Sequence, residues 1–532
     1  MERLNWGDHP VHLEPLELEI LERRDAFGLP PKATCDDLVD VFFKWISPIL
    51  PVVNRHEFMK RYHHVEGGPS ILLLQAMFTV SSRFVTGRQS QTDTAISPRS
   101  FYKKAKALYD AGYEQDILTV LQSVTLLGVY WDGLDDLTES GLFYWSRLGI
   151  ALAQELGFHE REKYLNLSQS KQGLWKRIWW TLYTRDRSVA AAFGRPLHIH
   201  ADDCTVEELA EGDFVEHDEE LQIEFPIDEL RAQFFIHYVK LCQLMDLGLC
   251  SKLSSWSAQA NRRIETAQCE LALNEWLVSC PPQLEWRQSR HNFLSAMLFS
   301  TFHTLVCQLH LLQAPASSLE SRNSAFHSAS TVISILETLQ SHGELTYSPS
   351  FIICHAVVSF VTLKCQMEVS MPSLLHAIRL KLEANLEIMK VLSQAWPIAD
   401  IFLELFQTLT SPERFDHLLS AAVEACRKRA GGEQTDTSGP AGPFRRPKVK
   451  QVILPQSRLV LQILRRETFR QPTNLYQASD AANQDPALSG EYSSHIATSE
   501  FSNDDEPTSE ALEPSAVLRN LQEMIRLRQN HS

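Results

Sequence analysis

The run His198-Ile-His200-Ala-Asp202-Asp203-Cys204 sets two imidazoles and two carboxylates at the spacing of a His-x-His-x-Asp-His zinc signature. Imidazole and carboxylate together hold Zn²⁺ and lower the pKa of its bound water, which is the chemistry of a metal-dependent hydrolase built on His198, His200 and Asp202. The last histidine of the signature is replaced by Asp203, and the strands such a site needs have few signals here. The preferred reading is a polar loop that follows a helix. His303 and His310 share one helix face but stand about 10 Å apart along its axis, too far to grip one ion comfortably. They read as core or groove histidines, and His63-His64 as solvated. Nucleophile elbow, phosphate loop, dinucleotide loop and HExxH pair are all missing, and Gly67-Gly68-Pro69 is a turn. The chain is therefore read as a non-enzyme, with no catalytic, cofactor-binding or metal-ligating residue assigned.

The elements that carry these residues are helical. The 532 residues are 44% hydrophobic and 22% charged, enough apolar material for a large core. Asp116 to Trp131 is apolar nearly all round, which predicts a helix buried on most sides. Gly141, Trp145, Leu148, Leu152 and Leu156 recur at three and four and predict one helix face, with Gly157 at its C-cap. A third helix is predicted over Gln172 to Ala192, striped by Trp175, Trp179 and Tyr183. Others are predicted near 36–37 onward, 228–250, 260–278, 292–313, 323–340, 350–368, 373–394 and 398–408. Phe293 to Leu312 has no acidic or basic residue and is long enough to span a bilayer, yet its Ser, Thr, Gln and His content marks a buried core helix. No membrane partner is expected.

This gives an all-α fold in which a lead-in (1–35) precedes a large multi-helix domain (36–430). Residues 431–443 read as linker. The rest of the tail (431–532) is polar, acidic and largely disordered, with a short amphipathic helix at Val517, Leu518, Leu521, Met524 and Ile525. Formal net charge is −16, a poor match to a phosphate backbone. The ten cysteines include no CxxC pair, so no zinc knuckle is encoded. The acidic run Glu207 to Glu220 reads as a solvated loop. Arg427–Arg429 and Arg445–Lys450 read either as nuclear-import signal or as solvated charge.

Three stretches carry a resemblance. The first is Leu38-Val-Asp-Val-Phe42-Phe-Lys-Trp45-Ile-Ser-Pro48-Ile-Leu-Pro51-Val-Val-Asn-Arg55-His-Glu-Phe58. The second is Tyr144-Trp145-Ser-Arg147-Leu-Gly149-Ile-Ala151-Leu-Ala-Gln-Glu155-Leu-Gly157-Phe-His159. The third runs Trp175-Lys-Arg177-Ile-Trp179-Trp180-Thr-Leu-Tyr183-Thr-Arg185-Asp186-Arg187, then Gly194-Arg195-Pro196, Ile199 and Asp203. In order and spacing they resemble the fungal-specific transcription factor domain, the middle homology region of zinc-cluster transcription factors, in its cutinase- and acetamidase-regulator form.

The resemblance implies a nuclear, effector-sensing module that controls RNA polymerase II transcription. It also implies structural roles for Trp145, Gly149, Gly157, Trp175, Arg177, Trp179, Trp180, Tyr183, Asp186, Arg187, Gly194, Arg195, Pro196 and Asp203. Asp186 is expected to pair with a neighbouring helix or with Arg195, and Gly194 to stop its helix at positive φ. Members of the family read DNA through an N-terminal six-cysteine zinc cluster, whereas only Cys35 precedes the domain here. Zinc is thus expected only in that missing cluster, and DNA contact only through it or through a partner. The other partners implied are coactivators, which would meet the acidic tail, another regulator, and a small-molecule effector. The alternative role is a dominant-negative or scaffold partner of a full-length regulator.

Overall fold

The structure is a computed structural model that describes residues 13–63, 68–85, 96–130, 141–193, 196–218, 223–225, 228–245, 259–311, 319–367 and 372–410. These all belong to one compact unit, and a second unit, Ser411–Val452 with Ser457–Ser532, lies outside the described residues. So do Gly194, Arg195, His64, Gly67, the basic runs, the linker, the polar tail and its terminal amphipathic segment.

The chain folds as α1 (Pro15–Arg23), α2 (Lys32–Val41), α3 (Arg55–His63), α4 (Ile71–Val85), α5 (Pro98–Asp110), α6 (Ile117–Leu127), α7 (Leu142–Glu155) and α8 (Gln169–Phe193). A ribbon of β1 (Glu216–Asp218) and β2 (Ile223–Phe225) follows. The remaining helices are α9 (Glu229–Met245), α10 (Gln259–Ser279), α11 (Phe293–Leu311), α12 (Leu319–Ser341), α13 (Phe351–Met367), α14 (Pro372–Ala395) and α15 (Pro397–Thr410). The fold is all-α as expected. The two strands pair antiparallel, Glu216 opposite Phe225 and Asp218 opposite Ile223.

Two helical layers share α8. On one side α4 packs on α2, α5 and α6, and α6 on α7. On the other α11, α12 and α13 pack on one another, and α14 lies on α12, α13 and α15. Between them α8 touches α7, α9 and α13. Local chemistry explains where these helices start and stop. Asp116 caps α6 by accepting from the Thr119 N–H at 3.1 Å, and Ser97 caps α5 ahead of Pro98. Gly157 takes φ +76° after α7, and the Phe158 N–H reaches back to Ala153 O at 2.9 Å, closing the C-terminus as Gly157 was expected to do.

Helix α6 is buried over most of its surface, as its apolar circumference predicts. Three expectations shift. The first long helix starts at Lys32, not at Asp36, because Pro31 already stands at its N-cap. The lead-in itself contains α1, held by a capping box between Glu14 and Glu17. On α7 the buried face is Leu142, Trp145, Gly149, Ile150 and Ala153, with Leu148, Leu152 and Leu156 only half-buried at its edge. Gly149 sets that face, because a Cβ there would come within 3.1 Å of Leu182 Cδ2 on α8. Helix α11 is packed against α12, α13 and α9, and among the described residues no helix is long and apolar enough to cross a membrane.

Candidate functional site

The residues of the third motif converge on α8, which is wrapped in buried side chains from Arg177 to Arg187. At its centre Asp186 is 4% exposed and Arg187 1%. Asp186 Oδ2 accepts from the backbone N–H of His198 at 2.9 Å and of Ile199 at 3.0 Å, and from Arg187 Nη1 at 3.2 Å. Its other oxygen lies 3.1 Å from His198 Nδ1. The Arg187 guanidinium sits 3.5 Å from the centre of the Tyr183 ring, so one face of the cation meets a π-cloud and its edge a carboxylate. The aspartate therefore holds the segment after α8 against the helix, with buried Ile199 as its apolar anchor. Asp186 was expected to pair with a neighbouring helix or with Arg195, and Arg195 lies outside the described residues. Among the described residues Asp186 meets Arg187 beside it, two loop amides and the His198 ring, because the chain doubles back within a dozen residues of Asp186.

A second tie runs through the N-terminal half of α8. Buried Arg177 donates to Asn54 Oδ1 and, through Nε, to Gly173 O at 3.3 Å, with Phe214 5.7 Å beneath it. Gly173 is required for this approach, since a Cβ would fall 2.5 Å from Asp213 O. Lys176 lies 3.4 Å from both Glu207 and Asp213, and the Trp180 indole donates to Glu207 O at 3.1 Å. The acidic run was expected to be a solvated loop. Part of it instead forms a 3₁₀ turn and β1, and Glu216 accepts from the N–H groups of Arg55 at 2.8 Å and His56 at 2.6 Å. Its charge caps α3, while Phe225 stacks on His56 at 3.5 Å.

The remaining motif aromatics are packing groups. Trp175 stacks on Phe158 at 4.1 Å. Trp179 is fully buried. Trp145 donates its indole N–H to Tyr102 at 3.0 Å. Pro196 and Asp203 are exposed, the latter in a 3₁₀ turn over Ala201–Asp203. Asn54 and Glu216 are the contributors that residue patterns did not single out. Asn54 lies inside the first motif stretch, whereas Glu216 was hidden within a charge run.

The histidine run does not assemble a metal centre. His198 is turned onto Asp186, while His200 and Asp202 are exposed. Among the described residues no group of three or more His, Cys, Asp or Glu is placed to hold one ion. Nor do the described cysteines fit a zinc cluster. Cys35 donates to Pro30 O, Cys204 to His200 O and Cys307 to Ala325 O, each in a separate part of the fold. His303 lies 3.2 Å from Ser328 and His310 3.8 Å from Glu270, consistent with separate core and groove positions.

This arrangement positions a loop and a strap of chain on α8, and comparison with other proteins gives it a family. Residues 39–288 match the family profile described as fungal specific transcription factor domain, a span that contains the ties that α8 makes to the loop at 198–199 and to the acidic strap. The chain is 40% identical over 425 residues to cutinase transcription factor 1 alpha of Fusarium vanettenii, across 77% of this chain and 47% of that protein. It is 25% identical over 430 residues to the acetamidase regulatory protein of Aspergillus oryzae, across 79% of this chain and 53% of the relative. It is also 25% identical over 318 residues to the fusaric acid cluster transcription factor FUB12 of Gibberella fujikuroi, across 57% and 46%. The chain thus spans about half the length of these curated relatives. With the α8 motif in place and the profile matched around it, residues 39–288 form a fungal specific transcription factor domain.

Proposed function

We propose that this chain is a nuclear transcription regulator whose helical domain governs RNA polymerase II output. The observation that carries the reading is the match of residues 39–288 to the family domain, supported by relatives named as regulators of cutinase and acetamidase. The buried ties of α8 suit such a role because they hold a defined surface and interior without assembling a reactive group. No catalytic role is assigned. With a net charge of −16 and no CxxC pair in its 532 residues, the chain meets DNA through another segment or a partner and acts on coactivators or a second regulator.

Tethering tests this directly. Residues 1–532 fused to a heterologous DNA-binding domain are expected to change a reporter by several-fold over the DNA-binding domain alone. A fusion that reaches the nucleus, occupies the reporter and leaves its output unchanged would overturn the proposal.

A further inference from the structure

Helix α10 is apolar on two opposite faces, and the domain covers one of them. Cys269, Leu273 and Trp276 are buried, where α10 packs on α9 and α11. The Trp276 indole donates to His237 O at 3.1 Å, and its ring stacks on Phe302 with centres 5.3 Å apart. On the other side Leu271 is 61% exposed and Val278 88%, the most open large apolar side chain among the described residues. Ala267 and Asn274 are exposed in line with them. A helix that is apolar all round is normally covered all round, and aligned apolar side chains left in water mark an interaction site.

The spacing defines the shape that fits. Ala267, Leu271, Asn274 and Val278 recur at four, three and four, which is the a/d seam of a coiled coil about 16 Å long. The same heptad sets the buried Leu273, Cys269 and Trp276 at c and f, away from the seam. Gln268 and Glu275 then stand at e, and Glu270 and Leu277 at g. Glu275 is exposed, and the Glu270 side chain keeps 42% exposure while lying 3.8 Å from His310. The charged flanks are therefore acidic on both sides. Parallel pairing with a second copy sets Glu270 at g against Glu275 at e of the other copy, and antiparallel pairing offers no opposite charge. A different helix with Lys or Arg at e and g meets both glutamates with the opposite sign. Asn274 within the seam weakens packing but fixes the register of the pair.

We propose that the outward face of α10 is a docking seam for an amphipathic helix of another protein, one with basic side chains beside its apolar stripe. Its regulatory consequence rests on the transcription-regulator reading, but its binding does not. The probe is a labelled three-heptad peptide with leucine at a and d and lysine at e and g, whose like charges keep it from pairing with itself. Titration with the full chain, followed by fluorescence anisotropy, is expected to saturate at one peptide per chain and to weaken as salt is raised. The same peptide with glutamate at e and g, and a lysine peptide of equal composition in scrambled order, are each expected to bind at least about tenfold more weakly. Leu271→Ala with Val278→Ala is expected to weaken the heptad lysine peptide about tenfold, with helical circular dichroism unchanged because both side chains face water. Should that variant not fold, Val278→Ala alone decides, at about threefold. The proposal is overturned by absent saturation, by a glutamate or scrambled peptide that binds as tightly, or by folded variants that bind as the parent does. It is also overturned by a chain that sediments as a dimer and becomes a monomer on Leu271→Ala with Val278→Ala, since the seam then takes a second copy. A tethered chain that regulates the reporter but binds no peptide refutes the seam alone. One that binds the peptide but leaves the reporter inert refutes the regulator reading alone.

Discussion

Around α8 the interior of the domain is ionic, whereas around α11 and α13 it is neutral. Asp186, Arg187 and Arg177 are all nearly inaccessible, and each meets a charge, a ring or an amide within its own neighbourhood. The second layer also buries polar groups, yet these are hydroxyls and imidazoles. Ser300, Thr301, Thr304 and Thr362 return their O–H to carbonyls of the preceding turn, and His355 Nδ1 lies 3.1 Å from Ser300. The contrast follows from what each region must hold. Helix α8 has to fix irregular chain, the loop at 198–199 and the acidic strap, whose amides need strong acceptors. The second layer joins helix to helix, where apolar contacts such as the Phe360–Phe406 stack at 3.8 Å suffice.

The largest effect that separates the two layers is expected at Asp186. Asp186→Ala removes the acceptor of two loop amides and the anion beside buried Arg187. Breaking a buried pair in this way destabilises by about 3–5 kcal/mol. Denaturant melts followed by circular dichroism measure it, and hydrogen exchange is expected to show the His198 and Ile199 amides losing protection first. If stability falls by less than about 1 kcal/mol, the ionic layer is not what holds the loop.

The neutral layer carries its own signature, in pH. Burial pushes His355 down to about 3 and His237 to about 4, against 6.5 when unfolded. Both are therefore uncharged in the folded chain at pH values where the unfolded chain binds protons. The sign is fixed: stability is intact above pH 6.5 and is lost progressively as pH falls from 6.5 towards the folded values. At pH 4.5 each such histidine accounts for about 2–3 kcal/mol of that loss. His355→Gln is expected to shrink the difference in unfolding free energy between pH 7 and pH 4.5 by about that amount. An unchanged difference would place the acid sensitivity elsewhere.

The two layers also differ in how much of them is legible in residue order. Helical periodicity locates α6, α8 and the second-layer helices to within a few residues, because burying one face at 3.6 residues per turn leaves a local pattern. The aromatic and charged residues of α8 are recognisable as a motif for the same reason. What they touch is not. Asp186 closes onto amides that carry no side-chain signal, and Arg177 reaches Asn54, 123 positions away. The face of α7 is displaced from the leucine stripe because Gly149, whose lack of a side chain lets α8 approach, carries no hydrophobic signal. Strands β1 and β2 have three residues each and an acidic composition, too little for a period of two to register.

The smallest effect tests whether the acidic strap belongs to the ionic layer or merely lies on it. Glu216 offers one carboxylate oxygen to each of two first-turn amides of α3, at 2.8 and 2.6 Å. Charge-assisted caps at a helix N-terminus contribute about 1 kcal/mol. Glu216→Gln keeps the length and one acceptor but removes the charge, so the Arg55 and His56 amides are expected to exchange about fivefold faster, with Asp186 ties untouched. The shift is local because α3 meets β1 directly, and β1 also contacts α8. If exchange at residues 55–56 is unaltered, the negative charge of the strap is surface charge after all, and the ionic layer ends at Arg177. If exchange at 198–199 accelerates as well, strap and loop act as one unit around α8, and the ionic layer is larger than its buried charges alone.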